Sequence, residues 1–273
     1  MKVVLVMCDG LGDAVARARM GYLEHLTESG LASRFVSRAA LPTASRMNYE
    51  TIHTGLPPHT HGITSNHVVR RSSSPNLFTL ASEAGLKTAA VAFFFISELY
   101  HKAPYDPLVD TEYDDPASPI QHGRFFLQLD QPDGEVIWGA VALSKRFAPD
   151  YLLVHPFGVD HAGHEHGSDS AAYRNAVRKQ DDYLAVAIPQ WRDAGYTVIV
   201  MGDHGHNLDR DHGGTSDDER YVPLYAIPVT GDGRGDTGET VDHTQIAPTI
   251  CDLLGLETPV TMTAAPIKLW APS

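Results

Sequence analysis

The run Val3–Cys8 is apolar throughout, rich in β-branched valine, and halted by Asp9-Gly10. A strand in which every residue is apolar must be covered on both faces, which is the condition of a parallel sheet buried between helices. Thr88–Phe95, Tyr151–His155, Tyr196–Met201 and Val222–Ile227 are runs of the same kind, and Phe35–Leu41 also fits a strand. Between them lie stretches at helical spacing. Ala14–Ser29 carries Ala16, Met20, Leu23 and Leu26 and stops at Gly30, and Pro75–Ala84 is closed by Gly85. Ser170–Trp191 and Thr244–Leu254 read as two further helices. Strands alternating with helices predict an α/β fold, with a mostly parallel central sheet and helices on both faces.

The 273 residues fit a single domain, 1–273. Ser97–Gly139 has no clean period, holds Pro104, Pro107, Pro116, Pro119 and Pro132, and is expected to ride over the sheet as a small cap insert, 97–139. The net charge of -13, with no basic run longer than Arg70-Arg71, argues against a nucleic-acid polymer as partner. The apolar opening is too short for a signal core or a membrane span, so a cytoplasmic location and no membrane partner are expected. Cys8 and Cys251 alone make no disulfide framework, and Cys8 reads as a core residue at a strand end. The oligomeric state is left open.

In an open α/β sheet, chemistry gathers at the carboxyl ends of the strands. Asp9 follows the first run, and Asp203-His204 follow Tyr196–Met201 between Gly202 and Gly205. Asp160 and His164 stand four apart after Tyr151–His155, a spacing that one helical turn or a tight loop brings together. His243 precedes the last helix. Each element alone is a weak signal, since a histidine before a helix is more often structural. Jointly, three carboxylates and three imidazoles with no thiolate suit two divalent ions, zinc first and manganese or iron as competitors. His206 and His212 are expected to support these ligands or to lie in loops. The segment from Leu41 to Asn66 supplies three hydroxyls near its start, Thr43, Ser45 and Thr51. One of them is expected at the N-terminus of the helix beginning near Arg46, where free amides and the helix dipole favour negative charge. A plain helix cap is the alternative for any one of them.

These elements, in this order, resemble the alkaline phosphatase superfamily, and within it the nucleotide pyrophosphatase/phosphodiesterase branch. Pro42-Thr43-Ala44-Ser45 matches that branch's Pro-Thr-x-Thr, with serine as nucleophile, and Thr54-Gly55-Leu56-Pro57-Pro58-His59-Thr60-His61-Gly62-Ile63 follows in register. Asn66 lies 21 residues after Ser45, as the branch's phosphate-oxygen donor does. Asp160-His161-Ala162-Gly163-His164, Asp203-His204-Gly205, His243-Thr244-Gln245-Ile246-Ala247-Pro248-Thr249 and Asp9-Gly10 match its remaining motifs. The resemblance covers nearly the whole chain apart from the Ser97–Gly139 segment.

The resemblance implies an alkaline phosphatase-like fold and two metal sites, one of Asp9, Asp203, His204 and Ser45, the other of Asp160, His164 and His243. It implies hydrolysis of phosphodiester or pyrophosphate bonds in small substrates through a phosphoseryl intermediate. Nucleotide-cleaving relatives have Phe-Pro after the nucleophile, where this chain has Arg46-Met47. Arg46 is therefore a candidate for gripping phosphate oxygens or a surface residue, and a phosphomonoesterase or phosphonate hydrolase (phosphonoacetate-like) is the alternative. A non-catalytic domain binding a phosphorylated ligand is the reading from another class. Lys102 and Arg124 are candidate contacts for an acidic leaving group. Phe93, Phe94 and Phe95 either line its pocket or belong to a buried strand. His59 and His61 read as structural. The lack of a Cys/Ser-x-Pro-x-Arg motif argues against a sulfatase.

Overall fold

The computed structural model describes residues 1–271; Pro272 and Ser273, the last of the expected domain, lie outside the described residues. Among those described, the strands are β1 (Lys2–Cys8), β2 (Ser33–Arg38), β3 (Thr88–Phe93), β4 (Glu112–Asp114), β5 (His122–Phe126), β6 (Tyr151–Val154), β7 (Tyr196–Gly202), β8 (Tyr221–Ile227) and β9 (Gly235–Asp242). The helices are α1 (Asp13–Arg19), α2 (Gly21–Glu28), α3 (Ser45–Thr54), α4 (Pro58–His61), α5 (Leu77–Glu83), α6 (Phe95–Tyr100), α7 (Asp133–Phe147), α8 (Gly158–His166), α9 (Ala171–Asp193), α10 (Asp217–Arg220) and α11 (Ile246–Leu254). The strands form one nine-stranded sheet in the order β4-β5-β3-β6-β1-β7-β8-β2-β9. Only β8 and β4 run against the rest. The carboxyl ends of β1, β3, β6, β7, β2 and β9 therefore share one edge of the molecule.

The alternation in β1 shows why its residues are all apolar. Val3, Leu5 and Met7 face one core with α3, α5, α6 and α11, packing with Tyr49, Phe78, Leu99 and Ile250. Val4, Val6 and Cys8 face the other, with α1, α2, α7 and α9, packing with Leu23, Ile137, Leu184 and Trp191. Cys8 is thus the core residue expected. Among the described residues no helix is long and apolar enough to cross a membrane.

Two expectations are revised, and one edge strand was not foreseen. Ala14–Ser29 is two helices that meet at Met20. The second has its own anchor, because the Asp181 carboxylate of α9 accepts the Tyr22 and Leu23 amides at 2.7 and 3.2 Å. The segment expected as a cap instead extends the sheet: β5 pairs parallel with β3, β4 pairs with β5, and the last residues of the segment open α7. The edge strand β9 runs through the polar stretch Gly235–Asp242, which carries no apolar period because one side has no neighbour.

Helix α3, which begins at Ser45, is buried along its whole length. Within it Glu50 accepts the Ser72 hydroxyl at 2.5 Å, while its second oxygen has no partner. Burial raises this carboxyl from 4.5 to about 7. Because the folded value lies above the unfolded one, the stability penalty grows as pH rises from 4.5 to about 7 and is complete above that. Glu50→Gln is expected to flatten the fall in melting temperature between pH 5 and 8, removing a penalty on the order of 3 kcal/mol. An unchanged pH profile of unfolding would show that Glu50 is ionised throughout.

Candidate metal centre

The register of the sheet assembles the first group of ligands. Cys8 pairs with Gly202 across β1 and β7, so the next residues, Asp9 and Asp203, leave adjacent strand ends side by side. The Gly10 amide donates to Asp203 Oδ1 at 3.1 Å. Asp9 Oδ2 accepts the Tyr49 hydroxyl and, at 3.1 Å, His155 Nε2. His155 Nδ1 in turn accepts the Phe93 amide (3.3 Å), which fixes the proton on Nε2. These bonds leave Asp9 Oδ1 and Asp203 Oδ2 buried without partners. His204 Nε2 lies 3.4 and 3.3 Å from those two oxygens, and Ser45 Oγ lies 3.2 Å from the same nitrogen. His204 Nδ1 donates to the Gly205 carbonyl (3.1 Å), so the Nε2 lone pair faces the carboxylates. Gly205 has no alternative here, since a Cβ would sit 2.0 Å from the Asp218 carbonyl oxygen.

The second group stands on α8, directly after β6. The Asp133 carboxylate, at the start of α7, accepts the Phe157 and Gly158 amides at 3.1 and 2.9 Å and so caps α8. One turn of α8 aligns Asp160 with His164, 3.5 Å apart. His164 Nδ1 donates to the Arg210 carbonyl (3.1 Å) and His212 Nδ1 to the Thr43 carbonyl (3.0 Å). The two Nε2 lone pairs therefore point at each other across 3.2 Å, with Asp160 Oδ1 3.6 Å from His212. Facing lone pairs repel unless a cation or a proton lies between them. His206 Nε2 donates to Asp160 Oδ1 at 2.7 Å and holds that carboxylate in place. The His204 and His212 rings stack with centroids 3.9 Å apart, so the two groups adjoin.

The electrostatics point the same way. Asp9, Asp160 and Asp203 are buried, and their ion-pair partners among the described residues are imidazoles. Burial, together with the charge of Asp9, pushes Asp160 and Asp203 well above the usual carboxylate range. Burial works against Asp9 too, but the His155 hydrogen bond and the neighbouring His204 hold it below the ordinary value. Burial lowers His204 to about 4 and His212 to about 2, so both rings are neutral ligands at pH 7. Neutral imidazoles, unpaired carboxylate oxygens and one hydroxyl are a donor set that fits divalent ions of the zinc type.

Among the three hydroxyls, Ser45 alone reaches this centre. It is the first residue of α3, whereas Thr43 Oγ1 donates to the Gly214 carbonyl (2.8 Å) and Thr51 Oγ1 meets His61 Nε2 (3.1 Å). Asn66 Oδ1 accepts the Arg46 amide at 3.0 Å, which ties the Asn66 side chain to the first turn of α3.

Several expected residues are placed otherwise. Arg46 does not face a substrate: its guanidinium is 1% exposed, pairs with Glu98 at 2.8 Å and lies 3.8 Å from the centroid of the Phe95 ring. His243 joins neither ligand group among the described residues; its Nδ1 bonds Asn48 Oδ1 at 3.0 Å. His212, expected in a supporting or loop position, occupies the place foreseen for it. Lys102 pairs with Asp110, and Arg124 with Glu112 and Asp114. Phe93 ends β3, and Phe94 and Phe95 are half-buried beyond it.

The model of the type I phosphodiesterase / nucleotide pyrophosphatase family matches residues 3–219. The catalytic subunit of human GPI ethanolamine phosphate transferase 2 is 27% identical over 272 residues, 94% of this chain and 27% of the relative. Venom phosphodiesterase 2 of Crotalus adamanteus is 26% identical over 212 residues, 68% of this chain and 25% of the relative. The chain thus spans about a quarter of the length of these two curated relatives. The solved structure of murine ectonucleotide pyrophosphatase / phosphodiesterase 5 superposes with a TM-score of 0.74 at 13% identity, covering 95% of this chain and 96% of that one, which establishes the shared fold.

His212→Ala is expected to lower tightly bound divalent ions from about two to about one per chain in elemental analysis of the purified protein. Undiminished metal content would show that His212 is not a ligand.

Proposed function

The chain belongs to the type I phosphodiesterase / nucleotide pyrophosphatase family, and from that premise we propose that it cleaves phosphodiester or pyrophosphate bonds of small substrates by way of a phosphorylated Ser45. The observation that carries this reading is the Ser45 hydroxyl, 3.2 Å from His204 Nε2, the same nitrogen that lies 3.4 and 3.3 Å from the unpartnered oxygens of Asp9 and Asp203. Asp9, Asp203, His204 and Ser45 would hold one divalent ion, and Asp160, His164 and His212 another, with zinc the best match to the donors. Bound there, such ions supply Lewis acidity and lower the pKa of the serine hydroxyl.

The residues of the chain divide the remaining work. Ser45 Oγ gives its proton to solvent and attacks phosphorus; the bond to the departing alkoxide or phosphate breaks as the Ser45 O–P bond forms, and the leaving oxygen takes up a proton from solvent. Asn66 Nδ2 and the N-terminal amides of α3 other than that of Arg46 would donate to the non-bridging oxygens as their charge grows. Water then attacks phosphorus, Ser45 leaves, and the phosphoryl group departs on the water oxygen. His164, 42% exposed, opens the second group to solvent, so the leaving group exits on that side.

A second reading draws on the curated relatives, three of which bear the name GPI ethanolamine phosphate transferase 2. The same serine adduct passed to an alcohol instead of water would make this chain a transferase. With Arg46 locked to Glu98, the feature that pointed to a monoesterase or phosphonate hydrolase no longer does so.

Parallel turnover of bis(p-nitrophenyl) phosphate, p-nitrophenyl phosphate and phosphonoacetate, with and without ethanolamine, tests the reading. The diester is expected to turn over at least about tenfold faster than the others. Ser45→Ala is expected to abolish covalent labelling and to lower kcat by about a hundredfold or more while metal content stays intact. Near-full turnover in that variant would remove Ser45 from its role, and product bound to ethanolamine would favour the transferase.

A further inference from the structure

His243 was drawn from a motif as a metal ligand, yet its contacts lead elsewhere. It follows β9 in a short 3-10 turn, and its Nδ1 meets Asn48 Oδ1 at 3.0 Å. Asn48 is one helical turn beyond Ser45 and fully buried. Its oxygen also accepts the Ala40 amide (2.8 Å), and its NH2 reaches the carbonyls of Ala40, Pro42 and Ala44 at 3.3, 3.2 and 3.1 Å. These partners permit only one orientation of the amide, with oxygen toward the Ala40 N–H and nitrogen toward three carbonyls. The His243 Nδ1 must therefore donate. Its frame is firm, since the adjacent Asp242 pairs with Arg38 of β2 at 2.7 and 3.0 Å.

We propose that His243 is a positioning residue for the nucleophile, acting through Asn48 to fix the loop Ala40–Ala44 that delivers Ser45. The inference rests on the reading of Ser45 as nucleophile. The same loop is tied at Thr43 to His212 and Gly214, so its displacement would disturb both ligand groups. A side chain remote from the reacting atoms can matter here because in-line attack tolerates little misplacement.

The experiment compares His243→Ala, His243→Asn and Asn48→Asp with bis(p-nitrophenyl) phosphate as substrate, measuring kcat, KM, divalent-ion content and melting temperature. Asparagine keeps an N–H donor near the place of Nδ1 but offers nothing at Nε2. His243→Ala is expected to lose about tenfold to a hundredfold in kcat, with KM within about twofold and two ions per chain retained. His243→Asn is expected to recover to within about threefold of the wild type, and Asn48→Asp, which loses its donors to three carbonyls, to share the kcat defect. Loss of one ion in His243→Ala overturns the proposal in favour of ligation, as does a wild-type kcat in that variant. No recovery in a folded His243→Asn also overturns it. Ser45→Ala serves as the separate control: if it keeps covalent labelling, the nucleophile reading has failed whatever the His243 variants do.

Discussion

Three carboxylates buried within reach of one another form the constraint on which the rest of this structure depends. Burying one ionised carboxylate costs on the order of several kcal/mol, and neighbours of like charge add to that. Asp9, Asp160 and Asp203 cannot escape each other, because two of them end adjacent parallel strands and the third stands in α8, directly after a strand that pairs with β1. The surrounding residues favour the charge at Asp9 and leave Asp160 and Asp203 well above the usual carboxylate range. They orient all three: Tyr49 and His155 bind Asp9 on one oxygen, His206 binds Asp160 on one oxygen, and Gly10 binds Asp203 on one oxygen. His204, His164 and His212, whose Nδ1 atoms donate to backbone carbonyls, turn their Nε2 lone pairs inward. Negative charge and lone pairs aimed at shared points make a donor set that fits divalent cations.

The loop before α3 joins this electrostatic trap to the reacting hydroxyl. Its Thr43 carbonyl sets the tautomer of His212, and its last residue hands over to Ser45. Ligand geometry and nucleophile geometry are therefore not independent. A shift of a few tenths of an ångström in Ala40–Ala44 would reach both, and this explains why so much buried polarity in Asn48, Thr43 and His212 is spent on a stretch of five residues.

Much of this was legible in the sequence, and the losses have physical causes. Unbroken apolar runs gave away β1, β3, β6, β7 and β8, because strands covered on both faces cannot carry polar residues. The polar strands β4 and β9 lie at the two edges of the sheet, and β5 alternates His122 and Arg124 with covered residues. Burial there is one-sided or absent, so the apolar period vanished and the Ser97–Gly139 segment read as an excursion. At the site, Asp9, Asp160, His164, Asp203 and His204 were legible because each closes or follows a recognisable element. His212 was not. It sits in the irregular stretch Asp209-Arg210-Asp211-His212-Gly213, where only the tertiary contact with Thr43 gives it a role. Arg46 was misread because spacing cannot show that Glu98 and Phe95 wait on α6.

The central claim is that the two donor groups hold two divalent ions. Anomalous diffraction from a crystal grown with zinc tests it most directly. Two peaks are predicted, one about 2 Å from the facing atoms of Asp9, Asp203, His204 and Ser45, the other at a similar distance from Asp160, His164 and His212. A single peak, or peaks away from these atoms, would contradict the account.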